Sequence, residues 1–523
     1  VKHVELELIS PELFDSVPKE HFVEMRRMSK LTGAHINIHA PAQMDLAGFG
    51  TKQGQNQWSE AQRKEVEESM EHMIDRGRDL GENTVVNFHS SGGVQAFEWQ
   101  AEKVLGEKEL PPEGKRKIFV IDQADPRHQI MPLEYEEKEY FGGTKPWTPQ
   151  ERMEMLNRSQ WDQEKLQLFN YEKEKAEIND RLRNIESQTT PLLEGKNKGV
   201  LNEDEKKQLD DNMRRLQVMG NHISELNTHM DTQMQDLHDK FVRFAHEGEK
   251  KEFFSNTKIK NDYDELADFS RKKMEISDQQ EKILREFNWD IEKARPELEK
   301  IKKDIPKKYG NEFSKEYGDE NKMESRRQRL LNSIQQMPIP ERFIPTDQFA
   351  KEKLSETVAN SAFYAYGKYK DKAPIIAIEN VFPDWTLGRA ESLKEAIVES
   401  RKKFAEKLIE KKNISKEKAN EIANKLIGAT WDVGHITQLR KFGYSDEDIA
   451  KEAAKIAPVV KHIHVTDNFG FSDSHLAPGM GTVPIKEQLK KLKEGLGKEY
   501  DKVAHIIESG GFASQFKQSP RLQ

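Results

Sequence analysis

Short apolar runs alternate with amphipathic stretches in two regions of the chain, residues 1–96 and the part that begins near residue 349. The apolar runs predict seven β-strands. They are His3–Ile9, His35–Ala40, Thr84–His89, Pro374–Asn380, Ala429–Val433, Lys461–Thr466 and Val503–Glu508. The stretches between them repeat apolar residues every three or four positions, which predicts helices. Strands that alternate with helices are typical of an α/β fold in which helices cover a parallel sheet.

The segment between these two regions has a different pattern. It is highly charged and helical from Thr148 to about Met337. A coiled-coil seam with three-four spacing, weakened at Gly220 and Asn227, is predicted there. Its positions are Leu209, Met213, Leu216, Gly220, Ile223, Asn227, Met230, Met234, Leu237, Phe241 and Phe244. We expect residues 1–146 and 346–523 to form the two parts of a barrel and residues 147–345 to form an inserted helical coiled-coil domain.

The predicted insertion contains at least three helices. An earlier helix should pack against the seam helix as an antiparallel hairpin, with a turn marked by Pro191, Gly195 and Gly199. A third helix is predicted over Tyr263–Ile301. The arm could mediate homo-oligomerisation or bind a protein partner, or it could pack on itself, which we favour.

Composition narrows the class of protein. Of 523 residues, 34% are charged and 35% are hydrophobic, which is too polar for one compact globule and agrees with an extended helical insertion. A net charge of −8 argues against a basic surface along the whole chain and leaves a local one open. The absence of cysteine excludes disulfides and thiolate metal ligands, and fits a cytoplasmic protein. No apolar run approaches the ~20 residues that span a bilayer, so we expect no membrane partner.

Metal-ligand side chains stand at the ends of the predicted strands or in the loops that follow them. They are His39, His89, Glu379, Asp432, His435, His464, Asp473, His475 and Glu508. The carboxyl ends of barrel strands face one rim, so these nine residues should converge. A single histidine at a strand end is more often a structural residue, but nine coincidences favour a shared site. His462 is expected to pack one layer deeper, and His3, His35, His128 and His505 are interpreted as structural.

Imidazole and carboxylate ligands without thiolates suit zinc, and also manganese or iron. Nine ligands are too many for one ion, so two or three ions are expected, with carboxylates such as Glu379 and Glu508 bridging them. Clustered ions can bind an anionic phosphodiester and lower the pKa of a shared water. The candidate catalytic residues are Glu379, Glu508 and Asp432.

The ligand order resembles that of endonuclease IV, the AP endonuclease family 2, within the xylose isomerase-like TIM-barrel superfamily. The segment HVTDNFGFSDSHLAPGMGTVP is similar to the family motif in which an Asp-x-His pair precedes a Gly-x-Gly turn, here Gly479-Met480-Gly481. The resemblance covers residues 1–96 and 349–515. It implies an eight-stranded TIM (β/α)8-type barrel, a trinuclear zinc site and hydrolysis of DNA on the 5′ side of an abasic site.

The resemblance also implies how the ligands are shared. One ion would be held by His39, His89 and Glu379, and a second by Asp432, His464 and Glu508 with Glu379 as the bridge. The third would be held by His435, Asp473 and His475.

The chain departs from the family at several places. Only seven strands are found, and the missing one corresponds to the family's first, which we expect upstream of Val1. The helical insertion is foreign to the family. The family's DNA-penetrating loops do not transfer, and the loop APAQMDLAGFG after His39 receives no base-stacking role.

Sugar isomerases and epimerases of the same superfamily are the alternative. They resemble this chain only in the quartet of Glu379, Asp432, His464 and Glu508. Under this hypothesis one divalent ion binds a ketose and the two glutamates move protons. The other five candidate ligands then contact the substrate or are incidental. The number of ions bound per chain distinguishes the phosphodiesterase hypothesis from the isomerase hypothesis.

Overall fold

A computed structural model describes residues 3–7, 16–52, 55–82, 84–99, 115–125, 129–140, 143–255, 257–310, 313 and 320–510. The chain divides into two compact units. The first combines Val1–Glu154 with Phe343–Gln523, and the second is Met155–Arg342. The helices that are described are all too short or too polar to cross a membrane.

The first unit contains a sheet of seven parallel strands whose spatial order follows the chain. They are β1 His3–Glu7, β2 His35–His39, β3 Val85–His89, β4 Ile375–Glu379, β5 Ile427–Asp432, β6 Val460–Val465 and β7 Ala504–Ile507. The edge strands β1 and β7 approach one another, with Cα atoms within 8 Å. The sheet is therefore a nearly closed TIM-type barrel, and the predicted α/β fold and its strands are confirmed. The predicted end of the first strand, Leu8 and Ile9, lies outside the described residues.

Helices cover the outside of this barrel. They are Lys19–Thr32, Glu60–Leu80, Thr346–Tyr369, Ala390–Lys412, Lys416–Leu426, Asp446–Ile456 and Ile485–Leu496, with 3-10 turns at Lys370–Lys372, Gln438–Phe442, Ala457–Val459 and Gly497–Lys502. A short buried helix, Val433–Thr437, directly follows β5. Side chains such as Met73 and Leu354 join a core with Val86 and Ile376 of the sheet. The alternate strand residues, Asn87 and Ala377 among them, pair in register across β3 and β4 and face the barrel interior.

Short antiparallel strands accompany the barrel. Phe49–Lys52 pairs with Gln55–Trp58, and Glu136–Tyr140 pairs with Gly143–Trp147. Lys115–Asp122 pairs with Phe97–Trp99, Ile130–Glu134 and Phe343–Pro345.

The second unit is a bundle of helices. Its helices are Pro149–Lys198, which begins in the first unit, then Glu203–Phe244, Glu247–Phe253, Thr257–Glu286, Ile291–Tyr309 and Glu320–Gln335. The second half of the predicted seam, including Met230, Met234 and Phe241, is buried among residues of the other helices. Met213 in the first half is 47% exposed. The described helices therefore pack as a bundle of more than two helices, rather than as a two-helix coiled coil.

Of the three residues predicted to mark the turn after the first helix, only Gly199 lies there. The helix continues through Pro191 and Gly195 and ends at Lys198, because the reversal needs a left-handed residue, which Gly199 supplies with φ of 70°. The predicted single helix Tyr263–Ile301 is two helices. Asn288 and Trp289 adopt φ of 50° and 62° between them, and a positive φ cannot continue a right-handed helix.

A buried ion pair joins two outer helices of the barrel. Glu452 is 3% exposed, and its carboxylate accepts from Arg389 Nε and Nη2 and from the Ala390 backbone N–H, each at 3.0 Å. Burial would raise the pKa of Glu452, but the hydrogen bonds and charge of Arg389 outweigh it and lower the pKa from 4.5 to about 2. The negative charge also lies at the start of the helix Ala390–Lys412, where it is favourable.

The variant Glu452→Gln should lower the free energy of unfolding at pH 7 by roughly 3 kcal/mol, because it leaves a buried guanidinium without its counter-charge. The folded pKa is lowered, so the stability from ionised Glu452 is present above pH ~4.5 and is lost as the pH falls towards about 2. Urea denaturation at several pH values measures both effects. The exposed control Glu447→Gln should change stability by less than about 0.5 kcal/mol. Equal stability of the two variants would contradict the prediction.

Candidate metal centre

All nine candidate ligands meet at the rim formed by the carboxyl ends of the barrel strands. The ligand atoms form four groups, three of which share residues, and within each group they lie within 4.8 Å of one another. They are Glu5–His39–His464, His39–His89–Glu379, His435–Asp473–His475, and Glu379–Asp432–His464–Glu508. Three of the four contain only predicted ligands and match the sharing that the resemblance implies.

Glu379 lies at the middle of the cluster. It ends β4 and is fully buried. Its Oε2 lies 3.2 Å from His39 Nε2 and 3.7 Å from His89 Nε2. Its Oε1 lies 3.1 Å from His464 Nδ1 and 3.7 Å from His435 Nδ1. The two oxygens of one carboxylate thus face different groups of imidazoles, which is the geometry that a bridging ligand needs.

The second group surrounds the buried end of β6. His464 Nδ1 lies 3.1 Å from Glu508 Oε2 as well as from Glu379. Asp432 Oδ1 accepts from the backbone N–H groups of Gly434 and His435 at 2.6 and 2.8 Å and from Thr466 Oγ1 at 2.7 Å. These bonds fix the Asp432 carboxylate and leave its other oxygen to face the cluster.

The third group is formed by the helix after β5 and the loop after β6. Asp473 Oδ2 lies 3.3 Å from His435 Nε2 and 2.7 Å from His475 Nε2. His475 has φ of 43°, an uncommon backbone conformation for a residue with a side chain. Such strain persists where the surrounding structure fixes the residue, as in a ligand loop.

The donor set fits divalent cations. Among the described residues, Asp432 Oδ2 and Asp473 Oδ1 are buried without a hydrogen-bond partner. His39 Nδ1 donates to the Ala40 carbonyl at 2.7 Å and His435 Nδ1 donates to the Asn380 carbonyl at 2.8 Å. Since a carbonyl can only accept, each proton lies on Nδ1 and each Nε2 offers a lone pair to the cluster. Histidine ligands of metals are usually oriented in this way.

The electrostatics show that carboxylates and imidazoles compensate one another. Burial would raise the pKa of Glu379, but His464, His89 and His39 hold it well below its usual range. Burial would lower the pKa of His464, but the charges of Glu379, Glu5 and Glu508 raise it well above its usual value. Cations would replace these imidazole protons, because metal ligands must be deprotonated.

The centre opens to solvent on one side. Glu379, Asp432 and His464 are fully buried. The side chains of His89, Glu508, Asp473 and His475 are 17%, 19%, 20% and 24% exposed. A substrate would therefore approach from the side of these four residues.

The Gly-x-Gly turn has a structural reason that the motif alone did not show. Buried Asp467 accepts from the backbone N–H groups of Gly479, Gly481 and Val483 at 2.8, 2.9 and 3.1 Å. A Cβ atom on Gly481 would lie 2.3 Å from Asp467 Oδ1, and Gly479 has φ of 91°. Glycine at both positions lets the loop fold over Asp467, which holds the segment carrying Asp473 and His475 in place.

Sequence reasoning missed several residues that contact the ligands. Asn87 Nδ2 donates to Glu379 Oε2, and Glu5 contacts both His462 and His464. The alternation of Val4, Glu5, Leu6 and Glu7 was a signal that one face of β1 carries carboxylates.

Two exposed aromatic residues, Phe469 and Phe471, lie in the loop that carries the third group and are 55% and 67% exposed.

Five other histidines carry structural predictions: a core role for His462, and structural roles for His3, His35, His128 and His505. The His3 and His35 rings stack at 5.3 Å, and His505 packs on Tyr500 at 5.0 Å. His462 is fully buried one layer below His464. His128 lies outside the described residues.

Comparisons with known proteins give short or weak matches. No protein-family model matches the chain. A stretch of 78 residues, 15% of this chain, is 32% identical to the uncharacterized protein MJ1311 of Methanocaldococcus jannaschii, and the match spans only 25% of that protein. A crystal structure of a D-tagatose 3-epimerase-like protein aligns at 24% identity over 32% of this chain and 51% of its own, with a TM-score of 0.22. That TM-score is too low to support an argument about activity.

Proposed function

We propose that this chain is a metal-dependent phosphodiesterase that hydrolyses DNA at abasic sites through a multinuclear zinc centre. The observation that carries the proposal is the group of His435, Asp473 and His475 beside the buried quartet. A one-ion sugar isomerase has no use for a second set of ligands beside its metal. The resemblance to endonuclease IV supplies the substrate, since its third ion is expected at these residues.

Charge favours an anionic substrate. The nine ligands include four carboxylates, those of Glu379, Asp432, Asp473 and Glu508. Three divalent ions would carry six positive charges, of which the carboxylates offset four. The surplus positive charge would face the open side of the centre, where a phosphodiester can enter.

The residues would divide the work as follows. When bound, the zinc ions would supply Lewis acidity towards a phosphate oxygen and lower the pKa of water. Glu379 would hold two metal positions at a fixed separation through its two oxygens. Asp432, held by three hydrogen bonds on Oδ1, would present Oδ2 in one orientation. Glu508 is the member of the quartet nearer to solvent. It would link the quartet to the third group, because its Oε1 lies 3.7 Å from His475 Nδ1.

Metal counting and an assay on abasic duplex DNA test the proposal. We expect three zinc ions per chain and cleavage on the 5′ side of the abasic site, lost with a chelator and restored by zinc. The matched substrate is the same duplex with an intact base, which should not be cut. Three bound ions without cleavage of any phosphodiester would overturn the proposed activity.

The quartet by itself also suits a second function, isomerisation or epimerisation of a sugar or sugar phosphate. Its four ligands lie within 4.8 Å of one another, and two are glutamates that could move protons. This function predicts one tightly bound ion and hydrogen exchange at carbon in a ketose. Three ions, or no exchange with ketoses in deuterated water, would contradict it.

The exposed pair Phe469 and Phe471 gives a test of the substrate class. Each aromatic ring that stacks on a base contributes about 1–3 kcal/mol to binding. The double variant Phe469→Ala/Phe471→Ala should therefore raise KM for abasic duplex DNA by about 10-fold or more. It should leave hydrolysis of a small diester, bis(p-nitrophenyl) phosphate, unchanged.

The matched control is Val398→Ala, which removes a side chain that is 50% exposed on the outer helix Ala390–Lys412. It should change neither reaction. An unchanged KM for DNA in the double phenylalanine variant would contradict a role of these rings in binding bases.

A further inference from the structure

We infer that Glu5 is a positioning residue that fixes the orientation of His464 and directs its Nδ1 towards the metal centre. The inference rests on the proposed metal centre and extends it to a residue outside the nine candidate ligands. Glu5 lies on β1, and its side chain is 7% exposed. Its two oxygens contact two different imidazoles of β6.

The contacts define a chain of three groups. Glu5 Oε1 lies 2.8 Å from His464 Nε2, and Glu5 Oε2 lies 2.8 Å from His462 Nε2. The other nitrogen of His464, Nδ1, faces Glu379 and Glu508 at 3.1 Å. His464 thus stands between Glu5 and the two carboxylates of the quartet.

This arrangement determines which nitrogen of His464 is the ligand. A metal on the quartet side needs the lone pair of Nδ1, so the proton must lie on Nε2. The carboxylate of Glu5, 2.8 Å from Nε2, would attract a proton on that nitrogen and so make Nδ1 a stronger donor to a metal. His462 holds the other oxygen of Glu5 and so keeps the carboxylate directed at His464.

His464 differs from the other oriented ligands in this respect. His39 and His435 donate to backbone carbonyls, which are neutral. The carboxylate of Glu5 carries a full negative charge, and this charge adds to the attraction of the quartet for a cation. The ion of the quartet should therefore bind more tightly than the same ligands would allow alone.

Glu5 could instead be a direct ligand, because it also forms a compact group with His39 and His464. The two roles predict different metal counts. A positioning residue changes the affinity of one ion and leaves the number of ions unchanged. Removal of a direct ligand lowers the number of bound ions, unless the replacing side chain can itself bind the ion.

The test compares Glu5→Gln with Glu24→Gln, which changes a carboxylate that is 58% exposed on the outer helix Lys19–Thr32. Zinc content, zinc affinity in competition with a chelator, and 15N NMR shifts of the histidine rings are measured on the full chain. We expect Glu5→Gln to keep the same number of ions, to weaken one of them by about 10–100-fold, and to move the His464 signals. Glu24→Gln should change none of these.

Glu5→Asp keeps the charge and should recover part of the affinity, which a purely structural role would not explain. It also serves as the readout if Glu5→Gln does not fold. Unchanged affinity and unchanged His464 signals in Glu5→Gln would overturn the inference, and so would loss of a whole ion. If the unaltered chain binds no zinc, the proposed centre itself fails. If zinc binds but abasic DNA is not cut, only the proposed activity fails.

Discussion

Glu379→Gln should lower kcat for cleavage of abasic DNA by about three to five orders of magnitude, the largest effect expected of any single substitution. The two oxygens of Glu379 face separate imidazole groups, at 3.2 Å from His39 and 3.1 Å from His464. A glutamine places a neutral amide there, and its NH2 group cannot bind a cation. Asn87 already donates to Oε2, so an amide oriented with NH2 on that side would also bring two donors together.

Kinetics and metal analysis together test this prediction. The variant should lose at least one ion per chain along with its activity. Glu391→Gln, which removes a carboxylate that is 54% exposed on an outer helix, is the matched control and should behave as the unaltered chain. Full metal content together with full activity in Glu379→Gln would exclude a bridging role.

His475→Ala should remove one ion and lower the rate of DNA cleavage by about 100- to 1000-fold, a loss comparable to that of one electrostatic contact to the reacting group. His475 contacts Asp473 at 2.7 Å and is the most exposed of the nine ligands, so its loss should leave the buried quartet intact. The same variant should retain ketose exchange if the chain is an isomerase. The substitution therefore separates the two proposed functions.

Ser474→Ala is the control for this experiment. It changes the neighbouring residue of the same loop, where the Ser474 hydroxyl contacts only Ser472 at 3.1 Å among the hydrogen bonds described for it. Activity and ion content should be unchanged. An unchanged number of ions in His475→Ala would remove the third group from the centre and with it the observation that favours a phosphodiesterase.

The fold of the first unit was readable from local pattern. Runs such as TVVNFH and PIIAIEN are too short and too apolar to be anything but buried strands between helices, and the structure pairs them in parallel. The helical insertion was predicted in type and less well in detail. Pro191, Gly195 and Gly199 together predicted the turn, but a proline interrupts only part of the hydrogen bonding, and the helix ends where Gly199 allows a left-handed residue.

The candidate site was predicted because its residues occupy a place defined by topology. His39, His89, Glu379 and Asp432 each end a strand, and His464 is the penultimate residue of β6; strand ends of a parallel barrel share one rim. No such rule exists for residues that contact ligands from the side. Glu5 reaches His462, 457 residues away in the chain, and also His464, and only the packing reveals these contacts.

The sequence by itself determined which residues form strands, which side chains carry ligand chemistry, and that they gather at one end of the barrel. These properties depend on side-chain periodicity and on the direction of the chain, which are local. The tertiary structure alone decided which oxygen of Glu379 faces which histidine, which nitrogen of His464 faces Glu379 and Glu508, and that Asp467 holds the ligand loop. These properties depend on distances of a few ångströms between remote segments, and such distances follow from how the whole core packs.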